Sequence, residues 1–130
     1  MELISVIVAG AAAYAFGAFW YMKWAKQWIV ASRIAVDPDG KPANKSAAPF
    51  IIAAVAMLVV AGMMRHVFVM AGIGTIGAGL VAGFGMGAFI ALPWIVTNYA
   101  YSDRPKELTL IDGGYAVFGC TIIGTVLSFF

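Results

Sequence analysis

The sequence predicts an all-α integral membrane protein, a bundle of four transmembrane helices. Composition points to lipid first. Of the 130 residues, 63 % are hydrophobic and 11 % are charged, with a mean hydropathy of +0.94. An ordinary soluble domain is about 45–50 % apolar and about 25 % charged. Second, the apolar residues gather into four nearly uncharged blocks, each close to the roughly 20 residues a helix needs to cross the hydrocarbon core. Third, the blocks do not alternate. Phe50-Ile51-Ile52-Ala53-Ala54-Val55 runs apolar without a break, whereas the strands of a membrane barrel alternate lipid-facing and lumen-facing residues.

The four spans are placed at residues 3–22, 47–64, 74–98 and 108–130, within one membrane domain covering 1–130. One sizeable loop, 23–46, and two short ones remain. The chain opens Met1-Glu2 and has no positive charge before Lys23. A secretion signal would begin with a basic segment, so this block is expected to be a retained span. Ala9, Ala13 and Gly17 recur every four residues, a spacing that lets another helix come close. Phe19-Trp20-Tyr21 followed by Lys23 marks a membrane boundary. Trp20, Trp24 and Trp28 share one helical face, and the helix is expected to run on to about Ile34 with these rings anchored among the headgroups. Asp37-Pro38-Asp39-Gly40 is a turn.

Ser46 is placed to cap span two and Pro49 to fit its first turn. That span is expected to end near Arg65-His66. Span three is rich in glycine, and Gly79, Gly83 and Gly87 form a G-x-x-x-G-x-x-x-G run. Glycines four apart leave a groove in which two backbones can touch; the partner is either a neighbouring span or another protomer. Pro93 lacks an N–H and presses on the preceding turn, so a kink is expected there. Ser102 or Asp103 can cap the last helix, with Pro105 in its first turn.

Charge placement predicts topology. Lys23, Lys26, Arg33, Lys41 and Lys45 lie in the first loop, Arg104 and Lys106 in the third, and Arg65 alone on the other side. The positive-inside rule then puts loops one and three on the cytoplasmic side and both termini on the outer side, the periplasm if the membrane is a bacterial inner membrane. Topology accounts for these basic residues without nucleic acid, which is not an expected partner. The Asn44-Lys45-Ser46 sequon is a chance match if this loop is cytoplasmic.

No catalytic constellation emerges. Cys120 is the only cysteine, so an intrachain disulfide and paired-thiol chemistry are excluded. His66 is the only histidine. It can ligate a haem or chlorin from one side, but nothing else in the chain supports a pigment. No metal site and no cofactor are expected. The one polar constellation is centred on Asp112, about four residues into span four. Asn98 and Tyr115 are expected near it, with Tyr21 and Trp20 at the same end of span one and Lys26 or Arg104 as counter-charge. Ionisable residues within a membrane are functional hypotheses by default. The competing readings are a clamp that pins three helices and a ligand or proton site.

Gly17, Trp20, Tyr21, Lys26 and Trp28, then Thr97 and Asn98, then Leu110, Ile111, Asp112, Gly114 and Tyr115, resemble the pattern of a family of small bacterial membrane proteins known as domain of unknown function number 1761. The resemblance implies a four-helix membrane protein and supplies no activity. This chain departs from the family where phenylalanine and glycine often precede the lysine (here Trp24 and Ala25) and where histidine often follows the tyrosine (here Ala116). The expected function is a non-catalytic structural or accessory membrane subunit, surrounded by lipid and assembled as a homo-oligomer or in a larger membrane complex. The alternative is a small oligomeric transporter or channel using Asp112. Small multidrug exporters of similar size need an embedded carboxylate in span one, and here Glu2 is terminal.

Overall fold

The computed structural model describes residues 2–130. The helices are α1 (Glu2–Lys23), α2 (Ala25–Ser32), α3 (Ala48–Ala71), α4 (Ile76–Met86), α5 (Leu92–Tyr101) and α6 (Lys106–Leu127), with a π-helical turn, Gly87–Ala91, joining α4 to α5. Among the described residues the only extended pairing is an isolated bridge between Val36 and Pro42. Four stretches are long and apolar enough to cross a membrane: Glu2–Lys23, Ala48–Ala71, Ile76–Tyr101 and Lys106–Leu127. Within hydrocarbon no water can satisfy a free backbone group, so each crossing is continuous helix.

Helix α6 is the hub. It packs on α1, on α4 with the π turn and α5, and on α3 and α2, while α3 packs chiefly on α1. The spatial order is therefore span two, one, four, three. Away from the loop-bearing end, Ala9 and Ala13 of α1, Ala61, Met64 and Phe68 of α3, and Ile123 and Leu127 of α6 form the core. Between helices already in lipid, close packing rather than water exclusion stabilises contact. The alanines of α1 work this way, being fully buried yet small.

Span two is longer than expected. It does not stop near Arg65-His66 but continues to Ala71. The reason is its buried face: Met64 and Phe68 are four apart, and Phe68 is wholly enclosed in the core, which needs another turn of helix. Gly72 then ends it at φ 69°, and the N–H of Ile73 reaches back to the carbonyl of Phe68 at 2.9 Å, a six-to-one closure that favours glycine in the left-handed position. At its start the hydroxyl of Ser46 accepts from the N–H of Ala48 at 3.1 Å, and Pro49 lies in the first turn.

The glycine run of span three faces span four of the same chain. A Cβ built at Gly79 would lie 2.5 Å from the carbonyl oxygen of Gly124, and one at Gly87 2.7 Å from the Cα of Val117. One at Gly83 would run into the carbonyl of Cys120. Gly74, Gly77 and Gly85, on other faces, have open space. Just beyond the groove, Pro93 acts differently from a simple kink. The disturbance is the π turn ahead of it, in which the N–H of Leu92 bonds the carbonyl of Gly87, five residues back. Widening one turn is a way to accommodate a ring that can neither donate nor tolerate the preceding carbonyl.

The first loop is partly helical. The chain bends at Trp24, but backbone bonds from Trp24 to Trp20 (3.1 Å) and from Trp28 to Trp24 (2.9 Å) carry the helical course through. Helix α2 ends at Ser32 rather than near Ile34, because Arg33 turns left-handed at φ 57°. In the loop that follows, Asp37 accepts from the backbone N–H groups of Asp39 and Lys41 and from Nζ of Lys45 at 2.8 Å. The third loop, between α5 and α6, differs from expectation too. Pro105 precedes α6 as its cap residue, with no side-chain cap. The hydroxyl of Ser102 instead donates to the carbonyl of Asn98 at 2.8 Å.

Two outcomes are expected. Gly83→Ala lowers the melting temperature of the detergent-solubilised protein, because backbone blocks the new methyl, whereas Gly77→Ala does not; equal effects would mean that the two faces are packed alike. Lys45, with the loop N–H groups, holds the Asp37 carboxyl below its ordinary value, so the ordered loop is favoured above the usual carboxylate range of about 3.9 and loses this support as pH falls through the depressed value. The amide resonances of Asp39 and Lys41 should therefore shift below that range and stay constant above it.

Candidate functional site

Asp112 is six residues into α6, about 9 Å along its axis, half-buried where α1, α2, α5 and α6 meet. Its Oδ1 accepts from the hydroxyl of Tyr21 at 2.6 Å and from Nε1 of Trp28 at 3.2 Å. Its Oδ2 accepts from the hydroxyl of Tyr99 at 2.5 Å. Tyr21 and Trp28 are seven residues apart, two helical turns, so the helical course kept through Trp24 returns Trp28 to the face of Tyr21. Their rings meet edge-on, 5.9 Å between centroids.

A second layer of aromatic rings surrounds these bonds. Tyr115 packs edge-on against Tyr21 at 5.3 Å, and its hydroxyl donates to Sδ of Met57 at 3.1 Å, reaching span two. Nε1 of Trp20 donates to the carbonyl of Ile111 at 2.8 Å. Glycines make room for the large groups. A Cβ at Gly114 would lie 2.8 Å from the Trp20 ring, one at Gly17 2.8 Å from the Tyr115 ring, and one at Gly113 would overlap Leu92. Here Gly17 seats a ring rather than another backbone.

The expected cluster is thus only partly assembled around the carboxylate. Tyr21 bonds Asp112 directly. Trp20 reaches the neighbouring carbonyl rather than acting only as a headgroup anchor. Tyr115 touches Tyr21 but sends its hydroxyl elsewhere. Asn98 is exposed and contributes only its backbone carbonyl, to Ser102. Lys26 is exposed at a separate cleft, and Arg104 donates to the carbonyl of Ser32. Among the described residues the only ion pair is Lys45 with Asp37, so Asp112 is held by neutral donors and not by a counter-charge.

Trp28 and Tyr99 are the partners the sequence reading missed. Tyr99 was hidden by the π turn. At about 100° per residue, an unbroken α-helix would put Asn98 about 20° from the packed face of Gly87 and Tyr99 about 120° away. The π turn adds one residue, and the packed face moves on to Leu92, Ile95 and Tyr99, which are half-buried while Thr97 and Asn98 are exposed. Trp28 did carry a signal, its seven-residue spacing from Tyr21.

Two donors to one carboxyl oxygen and one to the other tie four helices at one point. His66 lies exposed on α3 and Cys120 half-buried on α6. Among the described residues no three His, Cys, Asp or Glu side chains come together as metal ligands.

The profile of a family described as protein of unknown function (DUF1761) matches residues 4–128. The chain belongs to this family. No curated protein and no solved structure matches it. Within this DUF1761 chain, most residues that carry the resemblance lie in the lock just described: Gly17, Trp20, Tyr21, Trp28, Ile111, Asp112, Gly114 and Tyr115.

Asp112→Ala leaves three donors without an acceptor, each costing about 1–3 kcal/mol where buried. It should lower the melting temperature by several degrees, as read by tryptophan fluorescence in detergent. Tyr99→Phe should do so to a smaller extent and Asn98→Ala not at all. A loss with Asn98→Ala equal to that with Tyr99→Phe would mean that the face of α5 is misassigned.

Proposed function

We propose that this protein is a non-catalytic membrane subunit, a structural or accessory component of the bacterial inner membrane that assembles with itself or with a larger membrane complex. The observation that carries this reading is the state of Asp112. Both its oxygens are taken by donors from α1, α2 and α5, and it lines neither the cleft between α2 and α6 nor the one between α1 and α3. A carboxylate so engaged acts as a clamp. Assembly is supported by the outer spans: only 11 % of the apolar stretch of span two and 17 % of that of span three are buried within the chain. By the positive-inside rule, the Asp112 end, which bears all the lysines, faces the cytoplasm.

A transporter is the second reading, and one observation favours it: the carboxylate lacks a cation partner, which a proton or a cationic substrate would supply. Flux in proteoliposomes separates the two. Under the clamp reading Asp112→Asn leaves any flux unchanged; under the transporter reading it abolishes it.

Gentle extraction from native membranes, followed by sizing and mass spectrometry, tests the subunit reading. A stoichiometric larger partner or a defined homo-oligomer is expected. A protein that runs as a monomer, free of partners, would overturn it.

A further inference from the structure

A cleft of about 680 Å³ lies between α2 and the beginning of α6. Lys26 and Arg33 stand on its α2 wall with Val30 and Ala31, and Pro105 and Glu107 on the opposite wall. Lys26 lies in the first turn of α2 and Arg33 just past its end, and both side chains line the same cleft. Among the described residues none of these three charged groups forms an ion pair. The cleft is braced: Nη1 of Arg104 donates to the carbonyl of Ser32 at 2.9 Å, joining the end of α2 to the segment that leads into α6. The adjoining Trp20 and Trp24 place this level at the membrane boundary, where such rings gather. Val30 is 78 % exposed, an apolar edge beside two cations.

We infer that this cleft binds the headgroup of a phospholipid, with Lys26 and Arg33 on the phosphodiester and Glu107 on a headgroup ammonium that can donate hydrogen bonds. The ligand class is an ethanolamine phospholipid. Two cations on one wall and one carboxylate on the other match a dipolar headgroup better than a bare anion, which Glu107 would repel. A choline headgroup carries no N–H to donate, so the carboxylate distinguishes the two. The exposed Val30 meets the glycerol and the first methylenes of the lipid. The site is separate from the Asp112 lock and does not depend on the subunit reading.

The test is native mass spectrometry of the purified, delipidated full chain titrated with phosphatidylethanolamine or phosphatidylcholine. The wild type should bind the ethanolamine lipid about tenfold more tightly, the equivalent of one well-made charged hydrogen bond. Lys26→Gln with Arg33→Gln should lose the bound lipid, whereas Lys23→Gln with Lys41→Gln, the same change of net charge away from the cleft, should keep it. Glu107→Gln should retain lipid but lose the preference. All the substituted side chains are exposed, and an unchanged circular dichroism spectrum checks folding. Equal loss in both double variants, or no headgroup preference in the wild type, would overturn the proposal. So would binding of soluble O-phosphoethanolamine as tight as that of the lipid, which would assign the cleft to a soluble ligand.

Discussion

Asp112 accepts three hydrogen bonds from three different helices while sitting on a fourth, and the loop-bearing half of the bundle is arranged around meeting that demand. A carboxylate near hydrocarbon is costly unless its lone pairs are used. Here the donors are two tyrosine hydroxyls and an indole N–H. Aromatic side chains suit the place because each buries a large apolar body and offers one polar tip. The result is a carboxyl group held without a counter-charge, by groups that are themselves content in an apolar setting. Because the donors come from α1, α2 and α5, the carboxylate sets the relative rotation of these helices about α6.

The two halves of the bundle use opposite means to bring helices together. Away from the Asp112 end, alanine and glycine let backbones approach, and the enclosed groups are apolar. At the Asp112 end, glycine serves as the seat for something large: Gly17 for Tyr115, Gly114 for Trp20 and Gly113 for Leu92. The distinction matters for mutation. A methyl added at Gly79, Gly83 or Gly124 strikes backbone, which cannot move cheaply, and one at Gly17 or Gly114 strikes a ring that also carries a hydrogen bond.

Much of the fold was legible in the chain. Uninterrupted apolar runs permit little besides helix in lipid, so the four spans, the small-residue face of α1 and the close-packing role of Gly79, Gly83 and Gly87 could be read directly. The charge of Arg65 suggests an end to span two, but the buried phase of Met64 and Phe68 carries the helix another turn and more. At the site, Asp112 and Tyr21 stood out because polar tips in apolar blocks are few. Tyr99 did not, because the more polar Asn98 beside it drew the same inference.

Residue order was enough for class, spans and the single intramembrane carboxylate, because these follow from hydrogen-bonding demand and hydropathy, which are properties of the residues. Which groups meet that carboxylate was settled only in three dimensions. One extra residue in the π turn before Pro93 rotates the following helix by about 100°, exchanging Asn98 for Tyr99, and the bend at Trp24 preserves enough helical phase to bring Trp28 back to Tyr21. Helical phase is cumulative, so a single irregular turn redirects every side chain beyond it, and composition carries no record of that rotation.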